Sequence, residues 1–117
     1  MQAIRSNENR EFYVKRENIM CNIIEHICIY YTLRKVSSMF FAKVLDALLA
    51  SPNFSTIDES ELLQLILFIV EKVEDWASFV DNRFGKILKI NKDLASFEVI
   101  GKLKASLAEI SREEKTE

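Results

Sequence analysis

Glycine occurs twice and proline once in this chain of 117 residues. With so few residues able to break a helix, the chain must fold mainly as long helices joined by short connections. The breakers also mark where regular structure stops. Pro52, in Ser51-Pro52-Asn53, ends a helix, and Gly85, in Asp81-Asn82-Arg83-Phe84-Gly85, marks a tight turn. Gly101 alone falls inside a helical pattern, where it is expected to permit close packing.

The apolar spacing fills in the elements between these marks. Residues 1–10 are polar and are expected to be a flexible segment. From Glu11 to Tyr31 the period is helical, with Met20, Ile24, Ile27 and Tyr31 on one face and Ile29 on the opposite one. Arg16 and Glu17 fall on the side that becomes apolar later, so the start of this helix is expected to project beyond the core. A second helix follows the Ser37-Ser38 capping signal and runs to Ala50. The third starts at Asp58 with Glu61 three residues on, a capping-box spacing, and runs to Asp75. It is apolar nearly all round. Its one outer stripe holds Gln64 and Glu71 with Phe68 among them, a partner-facing surface in prospect.

The period then changes. Trp76-Ala77-Ser78-Phe79-Val80 and Lys86-Ile87-Leu88-Lys89-Ile90 are two β-prone segments around the Asn- and Gly-bearing turn, a hairpin over 76–90. Trp76 is expected to anchor the core and Phe84 to be exposed at the tip. A last helix carries Leu94, Phe97, Ile100, Leu103, Leu107 and Ile110, and residues 111–117 read as a charged flexible tail. Three helices followed by a two-stranded wing, with an additional C-terminal helix, is the order of a winged-helix domain, here spanning 11–110. The alternative is a four- or five-helix bundle in which 76–90 is an irregular loop.

Catalysis finds little support. The single histidine, His26, sits mid-helix with no Ser or Cys nucleophile spaced for it. Cys21 and Cys28 are about 10 Å apart along that helix and cannot bond to each other there. With Glu25 they fall short of a four-ligand zinc site, so no metal or other cofactor is expected. No GxxxxGK[ST], GxGxxG or HExxH motif occurs, and no small-molecule substrate is indicated. The longest apolar run, Leu65 to Val70, is far below membrane-spanning length. The polar start of the chain has no apolar signal core, and two thiols without a CxxC motif suit a reducing compartment.

The net charge of −2 hides a division. Residues 58–81 hold seven acids against Lys72, whereas 82–104 set Arg83, Lys86, Lys89, Lys92, Lys102 and Lys104 against Asp93 and Glu98. In DNA-binding winged helices the third helix enters the major groove with outward Arg, Lys, Asn or Gln. The acidic helix here opposes a phosphate backbone. Weak or indirect DNA contact through Arg83, Lys86, Lys89 and Lys92 is the alternative role. A monomeric domain that binds other proteins is the reading the residues favour, with oligomerisation through Phe68 and Ile29 a weaker option.

Three segments carry a family resemblance. They are Leu67-Phe68-Ile69-Val70-Glu71-Lys72-Val73-Glu74-Asp75-Trp76, then Lys86-Ile87-Leu88-Lys89-Ile90-Asn91-Lys92, then Asp93-Leu94-Ala95-Ser96 with Val99-Ile100-Gly101-Lys102-Leu103. Together they resemble the C-terminal domain of the eukaryotic DNA replication licensing factor that geminin inhibits. The shared pattern is an apolar helix closing on an acid–Trp pair, a basic-apolar wing strand, and a final helix with a small-basic-Leu triplet. Upstream, the basic turn Arg34-Lys35 and the helix from Met39 to Leu49 are compatible, so the resemblance covers roughly residues 15–108.

Departures accompany it. Glu74 stands where family members commonly have proline, and the hairpin is slightly shorter than in animal forms. The geminin-binding middle domain and the disordered N-terminal region have no counterpart in this sequence. The chain is therefore expected to be an isolated C-terminal domain, a truncated product or a small relative. The resemblance implies a nuclear, non-catalytic winged helix that binds the minichromosome-maintenance helicase and promotes its loading at origins within the pre-replicative complex. In that family the first-helix region makes the contact; here it offers Arg10, Lys15, Arg16, Ile29, Arg34 and Lys35.

Overall fold

The computed structural model describes residues 11–116, and the side chains of residues 11–110. Residues 11–15 form a helical turn that breaks at Arg16 before helix α1, Glu17–Arg34. Then follow strand β1 (Ser38–Phe40), helix α2 (Phe41–Ala50), a 3-10 turn (Pro52–Phe54) and helix α3 (Glu59–Lys72). Strands β2 (Ala77–Asn82) and β3 (Gly85–Ile90) and helix α4 (Ser96–Thr116) complete the order. The result is mostly helical with a small three-stranded antiparallel sheet, ordered β1-β3-β2.

Local chemistry explains most of the boundaries. α1 ends in a Schellman cap: Lys35 adopts φ 58°, ψ 41°, its N–H donates to Thr32 O, and Val36 N–H donates to Tyr31 O. α3 and α4 each form one half of a capping box. Glu61 N–H donates to Asp58 Oδ1 at 2.8 Å, and Ala95 N–H donates to Glu98 Oε1 at 3.0 Å. At the hairpin, Phe84 N–H donates to Asn82 Oδ1 at 2.8 Å and Gly85 takes φ 140°, a backbone conformation that suits glycine.

The core is gathered around α1. Met20, Ile23, Ile24, Ile27 and Tyr31 are buried against Leu62, Leu65, Ile66 and Ile69 of α3, Val99, Leu103 and Leu107 of α4, and Leu88 of β3. Tyr31 Oη donates to the carbonyl of Leu88 at 2.7 Å, tying α1 to the central strand. Trp76 is buried at the base of the hairpin, as its apolar bulk predicts. Asn91 closes that base: its N–H donates to Trp76 O and its Nδ2 to Asp75 O.

Several expectations are corrected. The second helix begins at Phe41, not at the Ser37-Ser38 pair, because Ser38–Phe40 pairs with β3 and Ser37 O accepts from Ile90 N–H. The hairpin is thereby the larger part of a three-stranded sheet. The third helix stops at Lys72, where the chain turns through Val73 to bury Trp76. The start of the first helix does not project: Phe12, Tyr13 and Val14 pack on the core. Phe97 is 74% exposed and Val99 takes the buried place, since Phe97 lies about 120° from Leu103 around the helix. Gly101 is exposed, and an added Cβ would meet nothing within 4 Å, so close packing does not require it. The backbone of α4 runs on to Thr116, where the pattern indicated a tail from 111. The segment 1–10 lies outside the described residues.

Candidate protein-interaction site

The residues proposed for helicase contact do not come together. Arg10 lies outside the described residues. Lys15 is exposed and pairs with Glu11 at 3.4 Å. Arg16, expected on a projecting turn, instead folds inward. Its Nε donates to Glu61 Oε2 at 2.8 Å, its Nη1 to Phe12 O at 3.0 Å, and its guanidinium lies 3.9 Å from the Phe12 ring centre. These contacts fasten the first helical turn to α3, a structural role. Ile29, Arg34 and Lys35 are exposed near the other end of α1, with the Arg34 guanidinium over the Tyr30 ring at 5.0 Å. Lys15 precedes α1 and Arg34 ends it, with about 26 Å of helical rise from Glu17 to Arg34. The set is two surfaces at opposite ends of α1.

The outer stripe of α3 is also revised. Gln64 and Glu71 are exposed, but Phe68 is 8% exposed, covered by Tyr13, whose ring stacks on it with centres 3.9 Å apart. Burial, then the charge of Glu71, pushes the Tyr13 phenol above its ordinary range. Phe68 belongs to the core, and the oligomerisation role that needed it exposed falls away. Glu59, Gln64, Glu71, Glu74 and Asp75 form the solvent side of the α3 segment, with Lys72 the one exposed cation from 58 to 81. Asp75 pairs with Lys102 at 3.6 Å.

Arg83, Lys86, Lys89 and Lys92 are all exposed, but they do not make one track. Lys86 and Lys89 are three apart on β3 and therefore emerge on opposite faces of the sheet. Lys86 Nζ lies 5.1 Å from the Phe79 ring, and Arg83 packs beside Phe84 at the tip, guanidinium to ring centre 5.7 Å. Lys92 Nζ donates to Tyr31 O at 3.5 Å. Phe84 is 76% exposed, as its place in the turn predicts.

Two apolar hollows emerge from this arrangement, and neither was legible from periodicity. One, of about 350 Å³, lies where the end of α1 meets the β3–α4 connection and is lined by Ile29, Leu33, Leu94 and Lys92 among others. It contains one residue of the proposed contact set, Ile29, beside the newly apparent Leu33. The other, of about 640 Å³, runs between the wing and the α2–α3 pair. Leu63 and Leu67 of α3, Leu45 and Lys43 of α2, and Phe84 and Lys86 of the wing line it, with Phe40 and Phe41 at its end. Although α3 is apolar nearly all round, the hairpin leaves its Leu67 side open.

The chemistry of the remaining groups is quiet. Burial pushes both cysteine thiols above their ordinary range; for Cys28 the Trp76 indole acts against this, and for Cys21 Lys104 does. Neither is an activated nucleophile. The Trp76 indole N–H nonetheless makes no hydrogen bond of good geometry. His26 packs edge-on to Phe54 at 5.8 Å. Among the described residues no group of three His, Cys, Asp or Glu is placed to hold a metal ion, and no helix is long and apolar enough to cross a membrane. No protein-family model matches the chain, and no curated protein matches it.

Proposed function

We propose that the chain is a winged-helix adaptor domain of the replication-licensing type. It acts in the nucleus by binding a minichromosome-maintenance helicase subunit, without catalysis. The order helix–strand–helix–helix–strand–strand with sheet order β1-β3-β2 supports the winged-helix reading. The observation that carries the adaptor reading is the solvent side of α3. Where a DNA reader presents mainly basic side chains to the major groove, this helix presents the acids Glu59 and Glu71 beside Gln64 and an open Leu67. That surface repels phosphate and offers apolar area to a protein.

The full chain, immobilised and exposed to nuclease-treated nuclear extract, is expected to retain a helicase subunit. Lys15→Glu and the pair Ile29→Glu with Arg34→Glu, at opposite ends of α1, identify which end makes the contact. If no helicase subunit is retained, the reading is wrong. A role in non-specific nucleic-acid binding rests on the four exposed cations of the wing. It requires duplex affinity that falls steeply with salt, with a shallower slope after Lys86→Glu and Lys89→Glu.

A further inference from the structure

The groove between the hairpin and the α2–α3 pair is a wide apolar opening of about 640 Å³. That is within the range of clefts that bind ligands or peptide side chains. Its walls are unusual for a surface. Phe84, in the hairpin turn, is 76% exposed, Leu67 of α3 42% and Phe40 of β1 38%. Leu63 and Leu67 are one helical turn apart and line the same wall. Gly85, beside the Phe40 ring, is held to glycine by its φ of 140° and not by lack of space, since a Cβ there would make an ordinary 3.9 Å contact with that ring.

The only charged side chains in the lining are Lys43, on the α2 wall, and Lys86, on the wing wall. Among the described residues neither enters an ion pair. Arg83 beside Phe84 adds a third cation at the wing tip. The apolar trough thus carries a lysine on each of two walls, with Asp81 across the hairpin from Lys86 and an acidic solvent side on α3.

We propose that this groove is the docking site for an amphipathic helical segment of a partner protein, bearing apolar anchors on one face and Asp or Glu on its flanks. The lining is dominated by large apolar side chains from three elements and the hairpin turn. An occupant must therefore satisfy its own backbone, which a helix does. Anchors at i, i+3 or i+4, and i+7 present one apolar face to Phe84, Leu67 and Leu63. The flanking acids meet Lys43 and Lys86, which sets orientation and disfavours basic helices. This proposal shares Leu67 with the α3 surface that carries the adaptor reading, but its peptide test uses no helicase subunit, so either can fail without the other.

The test is selection of displayed peptides of about 16 residues on the immobilised full chain, long enough for four helical turns. Fluorescence titration of the resulting consensus and of its Glu/Asp→Lys counterpart follows. The selected peptides are expected to show helical apolar spacing with acids at the flanks, and the Lys counterpart to bind at least about tenfold more weakly. Leu67→Ser and Phe84→Ser, both at exposed positions, should each weaken binding about tenfold with unchanged circular dichroism. Lys43→Glu with Lys86→Glu should reverse the preference toward the Lys counterpart. Leu33→Ser, in the other hollow, should change nothing. Peptides without acid enrichment, or equal binding by the groove variants, overturns the proposal. So does a self-association abolished by Leu67→Ser, which assigns the groove to a second copy. So, too, does duplex DNA competing with the peptide, which assigns it to nucleic acid.

Discussion

Arg16→Ala is expected to release the first helical turn from the body of the domain, because one side chain holds three contacts there. The Arg16–Glu61 pair is 2.8 Å long with the two side chains 29% and 25% exposed, so it is neither a solvated surface pair nor a fully buried one. Exposed pairs contribute about 0.2–1 kcal/mol, and breaking a buried one costs about 3–5 kcal/mol. A coupling of about 1–1.5 kcal/mol lies between these limits. The guanidinium also packs on Phe12 and caps its carbonyl, adding about 1 kcal/mol for the truncation. Arg16→Ala should therefore cost about 2–2.5 kcal/mol and Glu61→Ala about 1–1.5 kcal/mol. Urea unfolding of the two single variants and the double variant measures the coupling directly. Hydrogen exchange at residues 12–14 reports whether the turn is what loosens. A coupling below about 0.3 kcal/mol, or a loss no larger for Arg16→Ala than for the exposed Lys15→Ala, would refute the clamp.

Three further outcomes follow from single positions. Gly101→Ala, at an exposed mid-helix site with open space around the added methyl, should stabilise the domain by about 0.5–1 kcal/mol in urea unfolding. Lys35→Gly, which relieves a left-handed residue in the α1 cap, should stabilise by up to about 1 kcal/mol while leaving the fold unchanged. Burial, reinforced by the neighbouring Tyr30, pushes the Tyr31 phenol well above its ordinary value. The unfolded chain then ionises first, so this contribution is fully present below about pH 10 and is lost as pH rises beyond it. Tyr31→Phe should flatten that alkaline loss. It should also cost about 1–2 kcal/mol at neutral pH by leaving the Leu88 carbonyl unpaired, both read from denaturation across pH.

What the sequence made legible was local. The hairpin followed from Asn82 and Gly85 between two β-prone runs, and the α3 start from Asp58 and Glu61, because both signals act within a few residues. The pieces that escaped depend on distant partners. Ser38–Phe40 is too short to announce itself and becomes a strand only because β3 has an open edge about fifty positions away. Phe68 reads as outward until Tyr13, at the start of the chain, is placed over it.

The charged residues on the buried side of the first helix misled for a related reason. Arg16 and Glu17 indicated a projecting helix, yet each finds an opposite charge, Glu61 on α3 and Lys104 on α4 at 4.0 Å. The candidate surfaces were legible only in part. Phe84 and Ile29 could be placed from their patterns. The groove beneath Phe84 depends on how far the wing stands from α3, a distance no periodicity encodes.

The adaptor role we propose requires the domain to bind protein in preference to DNA. Titrating the purified full chain at near-physiological salt against a purified helicase subunit and, separately, against duplex DNA compares the two directly. The account predicts saturable binding to the helicase subunit, and duplex binding that is weaker and disappears as salt rises. Duplex binding tighter than helicase binding under those conditions would contradict it.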